Sequence, residues 1–194
     1  MKTLQEIINK FGSDKNLSGY TPTYTELFEP IRDNQMNLLE IGIGTIIRGA
    51  QSSMANTQIQ NYTPGASLRV WKTYFTNSFV YGGDIQKDTQ FTEDRIQTFL
   101  FDSTNKEECD TTLTNMQFDI IIDDGWHKWE AQINTITNLF DRVKVGGYYV
   151  IEDIENGGAS ALFNSEFDNL QKIVGENKIQ ANTAKNLIVI HKTH

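Results

Sequence analysis

Along this chain, short apolar runs of β-forming residues alternate with longer stretches in which apolar positions recur every three or four residues, a pattern that predicts strands joined by helices. The clearest unit begins at Phe118-Asp119-Ile120-Ile121-Ile122-Asp123-Asp124 and ends at Gly146-Gly147-Tyr148-Tyr149-Val150-Ile151-Glu152-Asp153. Between the two runs, Trp129, Ile133, Ile136, Leu139, Phe140 and Val143 recur at helical spacing. Strand, helix, strand in that order is a right-handed crossover between parallel neighbours, and it brings both strand ends to one edge of the sheet. Further strands are predicted at 37–41, 79–85 and 96–102, with a helix resuming near Ala66 through Leu68, Val70, Trp71 and Phe75.

The flanks read differently. Leu4, Ile7, Ile8 and Phe11 give a short amphipathic helix, followed by a polar Gly12-Ser13-Asp14-Lys15-Asn16 turn and an aromatic-rich stretch from Tyr20 to Phe28, so residues 1–30 read as an N-terminal cap. Residues 45–65 are rich in Asn, Gln, Ser and Thr. A connection that long is uncommon in a compact domain unless it serves as a lid, so it is read as an inserted loop. A helix is predicted over 165–174, after a loop containing Gly157 and Gly158. The tail, 178–181 and then 187–191, reads as a hairpin or a final strand. With neither an internal repeat nor a second pattern of its own, residues 1–194 are expected to form one domain of the α/β class.

Composition narrows the function. A net charge of -8 with scattered Lys and Arg argues against a nucleic-acid backbone as partner and favours a small or neutral substrate. Residues 1–10 lack the apolar core of a secretion signal and no apolar run approaches a membrane span, so a cytoplasmic location without a membrane partner is expected. Cys109 stands alone, which excludes an intrachain disulfide and a thiolate metal cluster.

The chemistry collects at strand ends. Glu40-Ile41-Gly42-Ile43-Gly44 supplies a glycine turn that lets a ligand approach the backbone, but Ile47 stands where a dinucleotide fingerprint requires its third glycine. Glu40 either holds an amino group of a ligand or organises the turn. Asp84 lies 40 residues beyond Gly44; without the inserted loop, that is about the spacing of an acid that binds ribose hydroxyls. Asp102 either accepts from an adenine amino group or caps the following turn. Asp124, Glu152 and Asp153 converge without a basic neighbour in the sequence, so a hard divalent cation such as Mg²⁺ is expected to neutralise them. His127, three residues after Asp124, is a general base or a further ligand. Trp126 and Trp129 form a pocket wall or pack on the following helix, with core packing favoured for Trp129.

In order and spacing these motifs resemble class I S-adenosylmethionine-dependent methyltransferases, and among them the metal-dependent sugar O-methyltransferases of macrolide, macrocin and novobiocin pathways. The resemblance is carried by Phe11-Gly-Ser-Asp-Lys15 with Tyr20 and Tyr24, Leu39-Glu-Ile-Gly-Ile-Gly44, Ser67-Leu-Arg-Val-Trp71, Tyr81-Gly-Gly-Asp84, Phe118 to His127 and Gly146 to Asp153. It implies a doubly wound, Rossmann-like, seven-stranded and mostly parallel sheet whose last strand is antiparallel. It further implies S-adenosylmethionine surrounded by Glu40, Gly42, Gly44, Ser67, Asp84, Asp102 and Asp123, Mg²⁺ held by Asp124, Glu152 and Asp153, and catalysis by His127 with Asp124. The acceptor would be a hydroxyl of a sugar or sugar-containing metabolite, with a homo-oligomer possible. The 45–65 insertion departs from the family pattern and bears on the acceptor. Competing readings are a catechol-type O-methyltransferase, an NAD-dependent oxidoreductase and a nonenzymatic binding module.

Overall fold

A computed structural model describes all residues except 58, 60, 155–168 and 183–185. Its strands are β1 (Asn37–Ile41), β2 (Phe79–Asp84), β3 (Thr92–Glu93), β4 (Ile96–Leu100), β5 (Phe118–Asp123), β6 (Val143–Ile151), β7 (Lys178–Asn182) and β8 (Leu187–His191). They form one sheet in the order β3-β4-β2-β1-β5-β6-β8-β7. β4, β2, β1, β5 and β6 are parallel neighbours, whereas β8 runs antiparallel between β6 and β7. Seven of the strands have at least five residues. The eighth, β3, is a two-residue addition to the outer edge of β4, too short to leave a periodic signal in the sequence.

Strand periodicity builds two cores. Leu38, Val80, Ile120, Ile122 and Val150 face α1 (Leu4–Phe11), α2 (Thr21–Phe28) and α3 (Ala66–Tyr74). Leu39, Ile41, Ile121, Tyr149 and Ile151 face α4 (Lys106–Thr112) and α5 (Trp129–Leu139). The central strands β1 and β5 therefore bury both faces, as a parallel sheet with helices on either side requires. Residues 169–174 are helical; the rest of the helix expected over 165–174, and the Gly157-Gly158 loop, lie outside the described residues.

One boundary differs from expectation. Val143 belongs to β6 rather than to the preceding helix, because the register of β5 on β6 shifts between Phe118 and Ile120. Gly146, with φ +85°, turns the chain at that irregularity and donates its N–H to the carbonyl of Lys192 at 2.7 Å.

The parallel registers align the functional edge. Ile41 pairs with Asp123 and Asp123 with Ile151, so Gly42, Asp124 and Glu152 emerge at one level. The Asp124 N–H donates to Ile41 O and the Glu152 N–H to Asp123 O, both at 2.9 Å, which extends the ladder one step past the strand ends. Strand order reverses between β1 and β5, the place where open α/β sheets open a crevice.

Candidate active site

A cavity of about 360 Å³ lies over that crevice. One wall is the glycine turn, with Asp84, Ile85, Phe101 and Asp102; the opposite wall is Asp124 to His127 with Asp153. The 45–65 segment closes over it through Thr45, Gly49 to Ser52, Met54 and Tyr62. The segment is anchored where Thr45 Oγ1 donates to Asp88 Oδ1 at 2.7 Å and Ser52 Oγ to the Gly125 carbonyl at 3.0 Å.

The glycine turn has no room for side chains. Gly42 sits at φ +79°, and a Cβ there would come within 2.0 Å of the Asp124 carbonyl oxygen. Gly44, at φ +81°, lies under the ring of Tyr62, whose hydroxyl would be 1.9 Å from a Cβ. Asp84 holds the turn in place: its Oδ2 accepts the Ile43 N–H at 2.9 Å and its Oδ1 the Gln86 N–H at 2.8 Å. Burial raises its pKa against those bonds. Ser67, nearly buried at the start of α3, lines the same wall. Asp102 also faces the cavity while its Oδ1 caps its own turn, accepting from the Thr104 N–H at 2.9 Å and the Thr104 hydroxyl at 2.7 Å.

Two residues expected at the cofactor, Glu40 and Asp123, are buried beside the cavity and do not line it. Glu40 is fully buried behind the cavity wall, with Oε2 accepting from Trp71 Nε1 at 2.9 Å. Asp123 projects to the opposite face of the sheet, where Oδ2 accepts from the Tyr149 hydroxyl at 3.4 Å. There burial drives its pKa up to about 7, with the Asp124 charge adding to the rise. Asp123 shares parity with Ile121, on the face of the sheet that packs against α4 and α5.

The acidic cluster does have a basic neighbour, and it comes from the N-terminal cap. Lys15 is fully buried, and its Nζ lies 2.8 Å from Glu152 Oε1, 2.9 Å from Glu40 Oε1 and 3.1 Å from Asp124 Oδ2. Burial opposes its charge, but Asp124, Glu152 and Glu40 outweigh that and hold its pKa well above the usual lysine value. Glu152, expected at a metal beside Asp124 and Asp153, accepts hydrogen bonds from Lys15 and from the Tyr24 hydroxyl. Burial, together with the charges of Asp124 and Glu40, raises its pKa in spite of Lys15.

Closer to the cavity, Asp124, His127 and Asp153 each present an atom within 4.8 Å of the others. His127 Nε2 is 3.3 Å from Asp124 Oδ1 and 3.6 Å from Asp153 Oδ2. Burial disfavours charge on the imidazole, but the bond to Asp124 and the charges of Asp124 and Asp153 prevail and raise its pKa. Asp153 adopts φ +50°, a conformation L residues adopt at a cost. The Tyr20 hydroxyl secures it, donating to Asp153 Oδ1 and accepting from the Asp153 N–H at 3.0 Å. Lys15, Tyr20 and Tyr24 thus join the site; on position alone the sequence makes the Tyr20 and Tyr24 segment a candidate for substrate recognition and gives Lys15 no role. The available signal was a surplus of strand-end acids that demanded a cation.

The sheet order and the crevice between β1 and β5 define the class I methyltransferase fold. No protein-family model matches the chain. Among proteins of known activity it is 33% identical over 168 residues to 8-demethyl-8-alpha-L-rhamnosyl tetracenomycin-C 2'-O-methyltransferase of Streptomyces olivaceus, covering 86% of this chain and 41% of that one. It is 36% identical over 155 residues to demethylmacrocin O-methyltransferase of Streptomyces fradiae, covering 78% of this chain and 36% of the relative. Among solved structures, the MycE methyltransferase of the mycinamycin biosynthetic pathway in complex with Mg and SAH superposes with a TM-score of 0.78 at 28% identity, covering all of this chain and 55% of that one. Its complex with Mg, SAH and mycinamycin VI gives 0.79 at 26% identity, covering all of this chain and 54% of that one. The chain therefore spans about two fifths of these curated relatives and about half of the solved chain. The resemblance read from the motifs, to sugar O-methyltransferases of the class I fold, is the one these relatives display.

Proposed function

We propose that this chain is an S-adenosylmethionine-dependent, Mg²⁺-dependent O-methyltransferase acting on a hydroxyl of a sugar or sugar-containing metabolite. The observation that carries the reading is the placement of Asp124, His127 and Asp153 on one wall of a cavity whose other wall is the glycine turn with Asp84 and Asp102. Acceptor oxygens at Asp84 and Asp102, between the apolar surfaces of Ile85 and Phe101, suit the ribose and adenine of the cofactor. Two carboxylates and an imidazole, half-buried and open to the cavity, suit a divalent cation that keeps water or substrate oxygens. Asp124 and Asp153 would hold it, and Glu152 stands beside them on Lys15.

When bound, the cofactor supplies an activated methyl group and the cation lowers the pKa of an acceptor hydroxyl. His127 takes the proton of that hydroxyl. Asp124, bonded to Nε2, orients the ring so that Nδ1 faces this task and steadies the charge the ring acquires. Lys15 and Tyr24 keep Glu152 fixed, and Tyr20 keeps Asp153 aimed at the cavity. The 45–65 segment excludes water and meets the acceptor, working with the 1–30 cap on a single 1–194 domain.

A cytoplasmic protein that binds no nucleic acid fits the net charge of -8, and among the described residues no helix is long and apolar enough to cross a membrane. Calorimetry with S-adenosylhomocysteine in Mg²⁺, with NAD as control, tests the reading. Micromolar binding of the former alone is expected; binding of NAD alone, or of neither, overturns it.

A further inference from the structure

Trp126 stands between the two chemical groups of the site and takes no part in the chemistry proposed above. It lies two residues after Asp124 and one before His127, its side chain lines the cavity, and the residue is 46% exposed. Among the described residues its ring enters no ring–ring contact and its indole N–H no hydrogen bond. Leaving so much of an indole in water forfeits apolar burial that a core position would have gained. The other two tryptophans are packed instead: Trp71 is fully buried against Glu40, and Trp129 joins the core of α5.

We infer that Trp126 is the platform on which the acceptor sugar stacks, and so a specificity-determining residue; the inference rests on the O-methyltransferase reading. A pyranose has an apolar face of C–H bonds and an edge of hydroxyls. The site offers the matching pair: a partly exposed indole on the cavity lining, and on the same lining the polar atoms of Asp124, His127 and Asp153. Because the ring remains half exposed, it suits a ligand that keeps some of its own hydroxyls hydrated. A flat, apolar catechol gains most from complete burial and is served less well. The peptide that carries the ring is braced from the opposite side, where Ser52 of the 45–65 segment donates to the carbonyl of Gly125.

Saturation-transfer NMR tests this with methyl α-L-rhamnopyranoside as probe, in the presence of S-adenosylhomocysteine and Mg²⁺, and with 1,2-dihydroxybenzene as the comparison ligand. Transfer from aromatic protein protons to one face of the pyranoside is expected. Trp126→Ala should weaken glycoside binding about tenfold and Trp126→Phe should retain most of it, the energy of one aromatic contact. Affinity for S-adenosylhomocysteine should stay within about twofold, because the ring adds to acceptor binding alone. Glycoside binding that is unchanged in Trp126→Ala overturns the inference, as does dihydroxybenzene binding that depends on Trp126 while the glycoside fails to bind. Failure of S-adenosylhomocysteine to bind the wild-type chain would refute the methyltransferase reading instead. Glycoside binding lost in Trp126→Ala, with S-adenosylhomocysteine still bound, supports the platform.

Discussion

The ammonium of Lys15 lies 2.8 Å from Glu152 Oε1 and 2.9 Å from Oε2, across 137 positions of sequence and out of contact with solvent. Replacing Lys15 with Met leaves Glu40, Asp124 and Glu152 buried without their counter-charge. Such a loss is expected to cost about 3–5 kcal/mol. Because much of that cost is the stranded charge on Glu152, Lys15→Met combined with Glu152→Gln should cost less than the sum of the single variants. Denaturant unfolding of the four proteins in the cycle measures the difference; strict additivity would mean that the pair is not energetically coupled.

His127→Asn keeps a polar side chain near Asp124 and removes the proposed base. Turnover is expected to fall by roughly 10²- to 10⁴-fold, while affinity for S-adenosylhomocysteine is maintained. Single-turnover rates paired with calorimetry separate the two effects, and full turnover in this variant would exclude His127 as the base.

Gly42 and Gly44 should differ in how they tolerate a methyl group. In Gly42→Ala the obstruction is the Asp124 carbonyl, backbone of a residue whose N–H is bonded to Ile41, and no side-chain change can relieve it. In Gly44→Ala the obstruction is the Tyr62 ring, so adding Tyr62→Ala should recover part of the lost stability. Both retain the left-handed strain of roughly 1–2 kcal/mol that any L residue meets there. Thermal denaturation of the single and double variants reads the contrast; equal losses without rescue would contradict it.

Asp123 gives stability a pH dependence of definite sign. Its pKa of about 7 in the folded chain stands above the ordinary carboxylate value of 3.8, so the folded state holds a proton that the unfolded state has released. Stability from this group is present in full below pH ~4 and is lost as pH rises through ~7, on the order of 4 kcal/mol in all. Asp123→Asn should flatten this part of the profile when unfolding is followed in EDTA. A wild-type curve that rises between pH 4 and 7 by the same amount in both proteins would contradict the assignment.

Most of the sheet was legible because its strands bury two faces and so appear as dense apolar runs. β1, β2, β5 and β8 lie where the pattern places them, and α1 and α3 follow their periodicity. β3 and α4 were not legible: one has two residues, and the other, Lys-Glu-Glu-Cys-Asp-Thr-Thr, buries only Cys109. In the site, acids at strand ends marked the correct edge. What they could not reveal was direction. Asp123 and Asp124 are adjacent in sequence, yet alternation sends them to opposite faces, and a parity count from Ile121 would have separated them. Lys15 was hidden for another reason. It sits in a polar turn with no periodicity, and only the fold brings that turn to Glu152.

The antiparallel strand β8 also orders events in time. It pairs with Tyr148 to Ile151 on the flank of β6 opposite β5, and Asn186, just before it, accepts the N–H of Ile154. During synthesis from the N-terminus, the segment bearing Glu152 and Asp153 therefore emerges with one side unpaired and waits for residues 187–191. The strand end that carries Glu152 and Asp153 is thus completed only when β8 adds to β6.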